Sequence, residues 1–338
     1  MTVLILGSAD DDHAAHVLHY LKTNGTDAEF LNSSRFPAEL QVAVTCLGEP
    51  RASARGWTKG KSSTIPGLTP GARQEQSFAS GTIRLPGGRR LGFDEISAVY
   101  WRCYHGVPTP PLPDAEQAYI AQNDARSLFE SLLIALPARW VNGWQAYQLH
   151  QTKPVQLAMV AALGVPLPAT LLGNDPAAVR KFVAGHPQCI FKPVQGGAHT
   201  QRVEPRHLSD ENLKNLAVAP VTIQEEVPGT DIRVFVAGDR VLACEVQTGE
   251  LDFRNDPDPR IVPTELPPAV AEQCRQIART LHLLWTGIDL RRTPEGQFIF
   301  LEANPSPMFL GFEQRSGLPL TESLVRVLMG NDPLLVPM

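Results

Sequence analysis

The chain has 338 residues, 43% hydrophobic and 19% charged. That is an ordinary globular balance, enough for two or three structural units around substantial cores. A net charge of -5 leaves no electrostatic footprint for nucleic acid, and no apolar run reaches the roughly 18 residues of a membrane span.

The opening MTVLILGSADDD is a short apolar strand followed by acids. It lacks the basic start and long apolar stretch of a signal peptide. Gly7-Ser8 breaks the strand, Asp10 to Asp12 can cap, and Ala14 to Leu21 reads as a helix that Asn24-Gly25 ends. The three histidines of this segment (His13, His16, His19) read as part of an acid-capped helix. Ala28 to Leu31 is a second strand, and a β-α-β start implies a parallel sheet. Gln41 to Leu47 reads as a third strand. Residues 48–80, rich in Gly, Pro, Ser and Arg, read as a long loop. Strands resume at Gly81 to Leu85 and Ala98 to Trp101, with Pro86-Gly87-Gly88 turning between them and Arg89-Arg90 as an exposed tip. VPTPPLP (107–113) is a linker and Asp114 to Leu136 a helix. A second unit starts near Asn142, with a helix over Pro154 to Leu163 bounded by an early proline and Gly164. Strands follow at Cys189 to Lys192 and Val221 to Gln224. A third unit alternates through Ile232 to Val236, Arg240 to Val246, Gly287 to Arg291 and Phe298 to Ala303. Five cysteines (Cys46, Cys103, Cys189, Cys244, Cys274) are scattered without a CxxC pair, which favours free thiols in a reducing cytoplasm.

The chemistry concentrates towards the C-terminus. TPEG (293–296) is a turn signature. Closing a hairpin there places Arg291 opposite Phe298 and Asp289 opposite Phe300. Asp289, Glu302 and Asn304 then share one face, with Glu302 diagonal to Asp289 at roughly 7–8 Å. Two carboxylates and an amide oxygen beside apolar strands suit a hard divalent cation such as Mg²⁺. Pairing with Arg291 or Arg292 on an exposed face is the alternative. IFKPVQGGAHT (190–200) ends an apolar strand with Lys192 and turns through Gly196-Gly197. That is either a phosphate cradle or a surface turn. TIQEEVPGTDIRVFVAGDRVLACEV (222–246) delivers Gln-Glu-Glu and then sets Asp231 and Arg233 on one face. LDFR places Arg254 in an irregular segment, and Lys153 precedes a helix, somewhat against its dipole.

In this order, the residues resemble the ATP-grasp superfamily over roughly 142–325. The closest likeness is to the graspetide (microviridin-type) synthetases and the ribosomal-protein glutamate ligases. The segments QEEVPGTDIRVFVAGDRVLACEV, LDFR and GIDLRRTPEGQFIFLEANPSPMF carry it, together with LGSADDDHA and AVYWRCYHG near the N-terminus. In that last segment Cys103 follows Arg102 where graspetide synthetases often have a second arginine.

The resemblance implies an α/β ATP-grasp fold, with an N-terminal parallel-sheet domain over 1–125. Two ATP-grasp subdomains, 126–222 and 223–338, would sandwich the nucleotide. ATP and two Mg²⁺ ions are the implied cofactors. Lys153 and Lys192 would meet the α- and β-phosphates, and Gly196 and Gly197 the β- and γ-phosphates. Backbone groups of Glu225 and Val227 would meet the adenine edge, and Asp231 the ribose. Asp289, Glu302 and Asn304 would hold the metal. Arg233 and Arg254 would stabilise the transferring phosphoryl group, and Arg291 would help hold the carboxylate substrate. The implied enzyme is a carboxylate–amine or carboxylate–hydroxyl ligase acting on a ribosomally made peptide. Ligation of free amino acids is the alternative, and a non-catalytic nucleotide-binding protein a remoter one. The expected partners are a peptide or amino-acid substrate and a second copy in a homodimer, with no nucleic acid or membrane, in the cytoplasm.

Overall fold

Asp11 begins the first helix as its sequence position suggests. Its carboxylate accepts the Ala14 N–H at 2.7 Å, satisfying one of the donors that every helix start leaves open. The structure, a computed structural model, describes residues 1–45, 80–186, 188–195 and 199–331. Most of the expected 48–80 loop, Cys46, and the Gly196-Gly197 turn lie outside the described residues. The chain divides into two compact units, Met1–Trp144 with Leu324–Met338, and Gln145–Ser323.

The first unit runs β1 (Thr2–Leu6), α1 (Asp12–Thr23), β2 (Ala28–Leu31), β3 (Gln41–Thr45), β4 (Ser80–Arg84), β5 (Arg90–Gly92), β6 (Ile96–Trp101), α2 (Ala115–Ala135) and β7 (Arg139–Val141). Its main sheet is parallel, in the order β2-β1-β6-β7. Val3 to Leu6 are wholly buried, as a central strand covered on both faces must be. The strand expected from Gln41 is found at 41–45. It does not extend the parallel sheet but pairs antiparallel with β4, which pairs with β5. Its residues alternate between exposed and half-buried, a pattern that cannot fill a doubly covered position. The Pro86-Gly87-Gly88 turn accordingly leads into β5 rather than the strand at Ala98. Gly87 and Gly88 take φ of 88° and 92° there, which glycine alone adopts freely. Arg89 and Arg90 are exposed at that hairpin as expected, and Arg89 pairs with Asp27 at 2.5 Å and Glu29 at 3.0 Å.

The second unit runs α3 (Trp144–Gln151), α4 (Lys153–Ala161), β8 (Thr170–Gly173), α5 (Pro176–Gly185), β9 (Cys189–Pro193), β10 (Gln201–Arg202), α6 (Asp210–Leu213), β11 (Val221–Glu225), β12 (Thr230–Ala237), β13 (Arg240–Gln247), β14 (Arg260–Thr264), α7 (Pro268–Thr280), β15 (Trp285–Arg292), β16 (Phe298–Asn304) and α8 (Leu310–Ser316). α9 (Leu320–Leu328) follows. Two antiparallel sheets result, β10-β9-β11-β8 and β14-β13-β12-β15-β16. Strand alternation splits the larger sheet into two chemical faces. Ile232, Val234, Val236, Ile288 and Leu290 join Val160, Cys274 and Ile277 in one apolar core beneath α4 and α7. The intervening residues Asp231, Arg233, Asp289 and Arg291 lie on the other face. Among the described residues Cys103, Cys189, Cys244 and Cys274 are free thiols, and no helix is long and apolar enough to cross a membrane.

Candidate active site

The β15–β16 hairpin differs from the register its turn suggests. Arg292 pairs with Phe298, Arg291 with Ile299 and Leu290 with Phe300; the register then shifts, and Asp289 pairs with Glu302. The extra residue is a bulge, and it resolves a conflict in FIFLEAN. Simple alternation would send Phe298, Phe300, Glu302 and Asn304 to one face. With the bulge, Phe300 packs in the core at 0% exposure, Ala303 follows it inward, and Glu302 and Asn304 turn to the polar face. Glu302 is therefore directly across from Asp289 rather than diagonal to it, and two carboxylates so placed repel unless cations intervene.

The cations are present. Lys153 Nζ lies 2.6 Å from Glu302 Oε2, and Arg233 Nη1 donates to Asp289 Oδ1. Burial pushes the Glu302 carboxyl up, but the Lys153 ammonium outweighs it and holds the group at about 2. For Asp289 burial prevails over Arg233 and raises it. Lys192 is lowered by burial, while both carboxylates pull it back up. It is hydrogen-bonded to Gln224 Oε1 at 3.2 Å, a neutral partner. Arg254 feels Glu302 and Asp289 but pairs with Asp252, Nε to Oδ1 at 2.8 Å.

A second group forms along the strands. Arg291 pairs with Asp231 at 2.6 Å and donates through Nε to the Val227 carbonyl at 3.1 Å. It thus sits with the expected ribose and adenine residues, on the Asp231 side of the face. The Glu225 N–H is engaged by the Ala169 carbonyl at 2.9 Å. Asn304 Oδ1 accepts from Ser306 N–H at 2.9 Å, fixing its side chain at the strand mouth.

Two contributors escape sequence reasoning. Gln156, 3% exposed, donates to the Ala303 carbonyl at 3.0 Å and accepts the Ala303 N–H at 3.1 Å. It serves as a one-residue strand on the outer edge of β16, clamping the residue between Glu302 and Asn304, and stands one turn after Lys153 on α4. Asp252, 7% exposed, accepts from Thr200 N–H at 3.2 Å as well as from Arg254. A lysine three residues before a buried glutamine on one helix is the only local hint of the first, and nothing local marks the second.

The donor chemistry fits a hard cation with a polyphosphate. Asp289, Glu302 and Asn304 present only oxygen ligands, as Mg²⁺ prefers. Lys153, Lys192, Arg233 and Arg254 supply more positive charge than those two carboxylates cancel. Among the described residues Arg233 Nε is buried without a hydrogen-bond partner, a donor awaiting an acceptor.

The RimK-like ATP-grasp domain family matches residues 152–328. A probable alpha-L-glutamate ligase 2 of Shewanella amazonensis is 29% identical over 186 residues; the match spans 50% of this chain and 60% of that relative's own length. Among solved structures, the ATP-grasp ligase PsnB complexed with a minimal precursor superposes with a TM-score of 0.74 at 29% identity, covering 97% of this chain and 98% of the other. The same ligase with minimal precursor, Mg and ADP gives 0.71 at 29% identity, covering 96% and 98%. These neighbours share the mixed α/β architecture of parallel and antiparallel sheets.

Proposed function

The chain belongs to the RimK-like ATP-grasp family, and from that premise we propose that it is an ATP- and Mg²⁺-dependent ligase joining a carboxylate to an amine or hydroxyl on a peptide. The observation that carries this reading is the direct opposition of Asp289 and Glu302, each carboxylate held by a cation.

A carboxylate is a poor electrophile. A bound Mg–nucleoside triphosphate would supply the phosphoryl group that makes it an acyl phosphate. The residues would then divide the work. Asp289, Glu302 and Asn304 would hold the metal, up to two ions. Lys153 and Lys192 would meet phosphate oxygens, for Lys192 a stronger, fully ionic acceptor than the Gln224 amide. Arg233 and Arg254 neutralise charge that develops during transfer. Arg291 would help hold the carboxylate substrate, and Asp231 would meet the ribose.

PsnB, described with a precursor peptide, Mg and ADP, supports a peptide substrate. The glutamate ligase relatives favour a second reading, addition of free amino acids. We read the protein as cytoplasmic and homodimeric, the latter checked by light scattering. Incubation of the full chain with ATP, Mg²⁺, a pool of free amino acids and the peptide encoded nearest its gene, followed by mass spectrometry, separates these readings. Loss of water, about 18 Da per bond, with matching ADP is the outcome expected of intramolecular ester or amide formation. A gain equal to an amino-acid residue supports the second reading, and an unchanged peptide without ADP release overturns both.

A further inference from the structure

Arg233 is held by more than its ion pair. The residue is 7% exposed, and its Cζ lies 5.5 Å from the centroid of the Phe235 ring and 5.8 Å from that of Phe312. Phe235 follows two residues along β12 on the same face, while Phe312 comes from α8. On the β15 side stands Gly287. A Cβ there would lie 2.7 Å from Arg233 Nη2, 2.9 Å from Cζ and 2.7 Å from Pro307 Cβ, closer than real Cβ atoms come. Gly287 is not among the positive-φ glycines, so what the position demands is missing volume, not backbone freedom.

Resting on the ligase reading above, we infer that Phe312 and Gly287 are positioning residues for Arg233, the ring face holding its charge and the absent side chain giving it room beside Asp289. A buried cation needs compensation. A further carboxylate would provide it by occupying the guanidinium N–H groups and cancelling the charge. An aromatic face attracts the cation through its quadrupole and takes no N–H donor. The guanidinium is thereby kept desolvated, charged and available to an anion, even when Asp289 is engaged by a metal. The same Phe312 ring meets Phe253 edge-to-face at 6.0 Å and 78°, and Phe253 directly precedes Arg254. One ring from α8 therefore braces both arginines proposed to face the phosphoryl group.

The test is calorimetric titration of the full chain with Mg–AMPPNP and with Mg–ADP, which differ at the γ position. Phe312→Leu keeps the apolar bulk and removes the ring. It should weaken AMPPNP binding about five- to thirtyfold while changing ADP binding by less than about twofold, and Phe312→Tyr should recover AMPPNP to within about threefold of wild type. Gly287→Ala should reproduce the selective loss and carries the test if Phe312→Leu does not fold. Equal losses for both nucleotides, or wild-type AMPPNP affinity in Phe312→Leu and Gly287→Ala, would overturn the inference alone. A wild-type protein that binds neither nucleotide would overturn the ligase reading and this inference with it.

Discussion

At the scale of single residues, the groups assigned to metal and the groups assigned to phosphate neutralise one another: Lys153 with Glu302, Arg233 with Asp289. Binding a metal–polyphosphate would exchange these pairs rather than create charge contacts from nothing, so little desolvation is added at the moment of binding. Glu302 is the sensitive member, because its ionised form is held at about 2 and so is available to a cation throughout the neutral range. Glu302→Gln keeps the shape and removes the charge. Mg²⁺-dependent ADP release should fall by about a hundredfold or more, while the circular dichroism spectrum and cooperative melting persist. Wild-type-like ADP production by this variant would sink the metal assignment. The residue types of this cluster were legible in the sequence: Lys153 opens α4, Glu302 stands near the end of β16, and Arg233 and Asp289 are charges set within apolar strands. Asp252 was not, since its buried carboxylate matters through Thr200, 52 positions away.

Elements were read well where the information is local. Asp114 accepts Gln117 N–H at 2.8 Å to start α2, as an aspartate before a helical run should, and the strands of the third unit fall within a residue or two of their apolar alternation. What could not be read was how elements meet. Val42 and Val44 say strand, but only half-burial shows which sheet takes them. The bulge in β16 was written in FIFLEAN as a phase change between Phe300 and Glu302, and it becomes decisive only against β15. Its outer edge is equally nonlocal. Ala303 presents N–H and C=O away from β15, and Gln156 satisfies both. Gln156→Leu preserves volume but leaves two buried backbone groups unpartnered, at about 1–3 kcal/mol each. Urea unfolding should show a loss of roughly 2–6 kcal/mol, with Mg–nucleotide affinity falling as Glu302 and Asn304 lose their fixed register. A loss below about 0.5 kcal/mol would mean that water replaces the amide and that the clamp is incidental.

For the whole molecule, buried histidines should govern the acid side of stability. His13, 7% exposed, is pushed down to about 4 by burial first and by the Arg102 charge second, against the pull of Asp11 and Asp12. His282 is lowered by burial as well. In the unfolded chain both titrate near 6.5. Below that pH the unfolded state takes up protons the native state refuses, so stability must fall as pH drops from about 6.5 and stop falling on account of His13 near 4. Asp27 and Asp252, each held near 2, act later. Their contribution is intact above about 4 and disappears only as pH falls towards 2. Two successive losses should therefore appear, the first belonging to histidine. Between pH 7 and 5 the His13 share alone amounts to about 2 kcal/mol. Urea unfolding of wild type and His13→Gln at pH 7 and pH 5 isolates it. The wild type should lose more stability than the variant by roughly that amount, and parallel losses in the two proteins would show that the His13 imidazole is protonated in the native state after all.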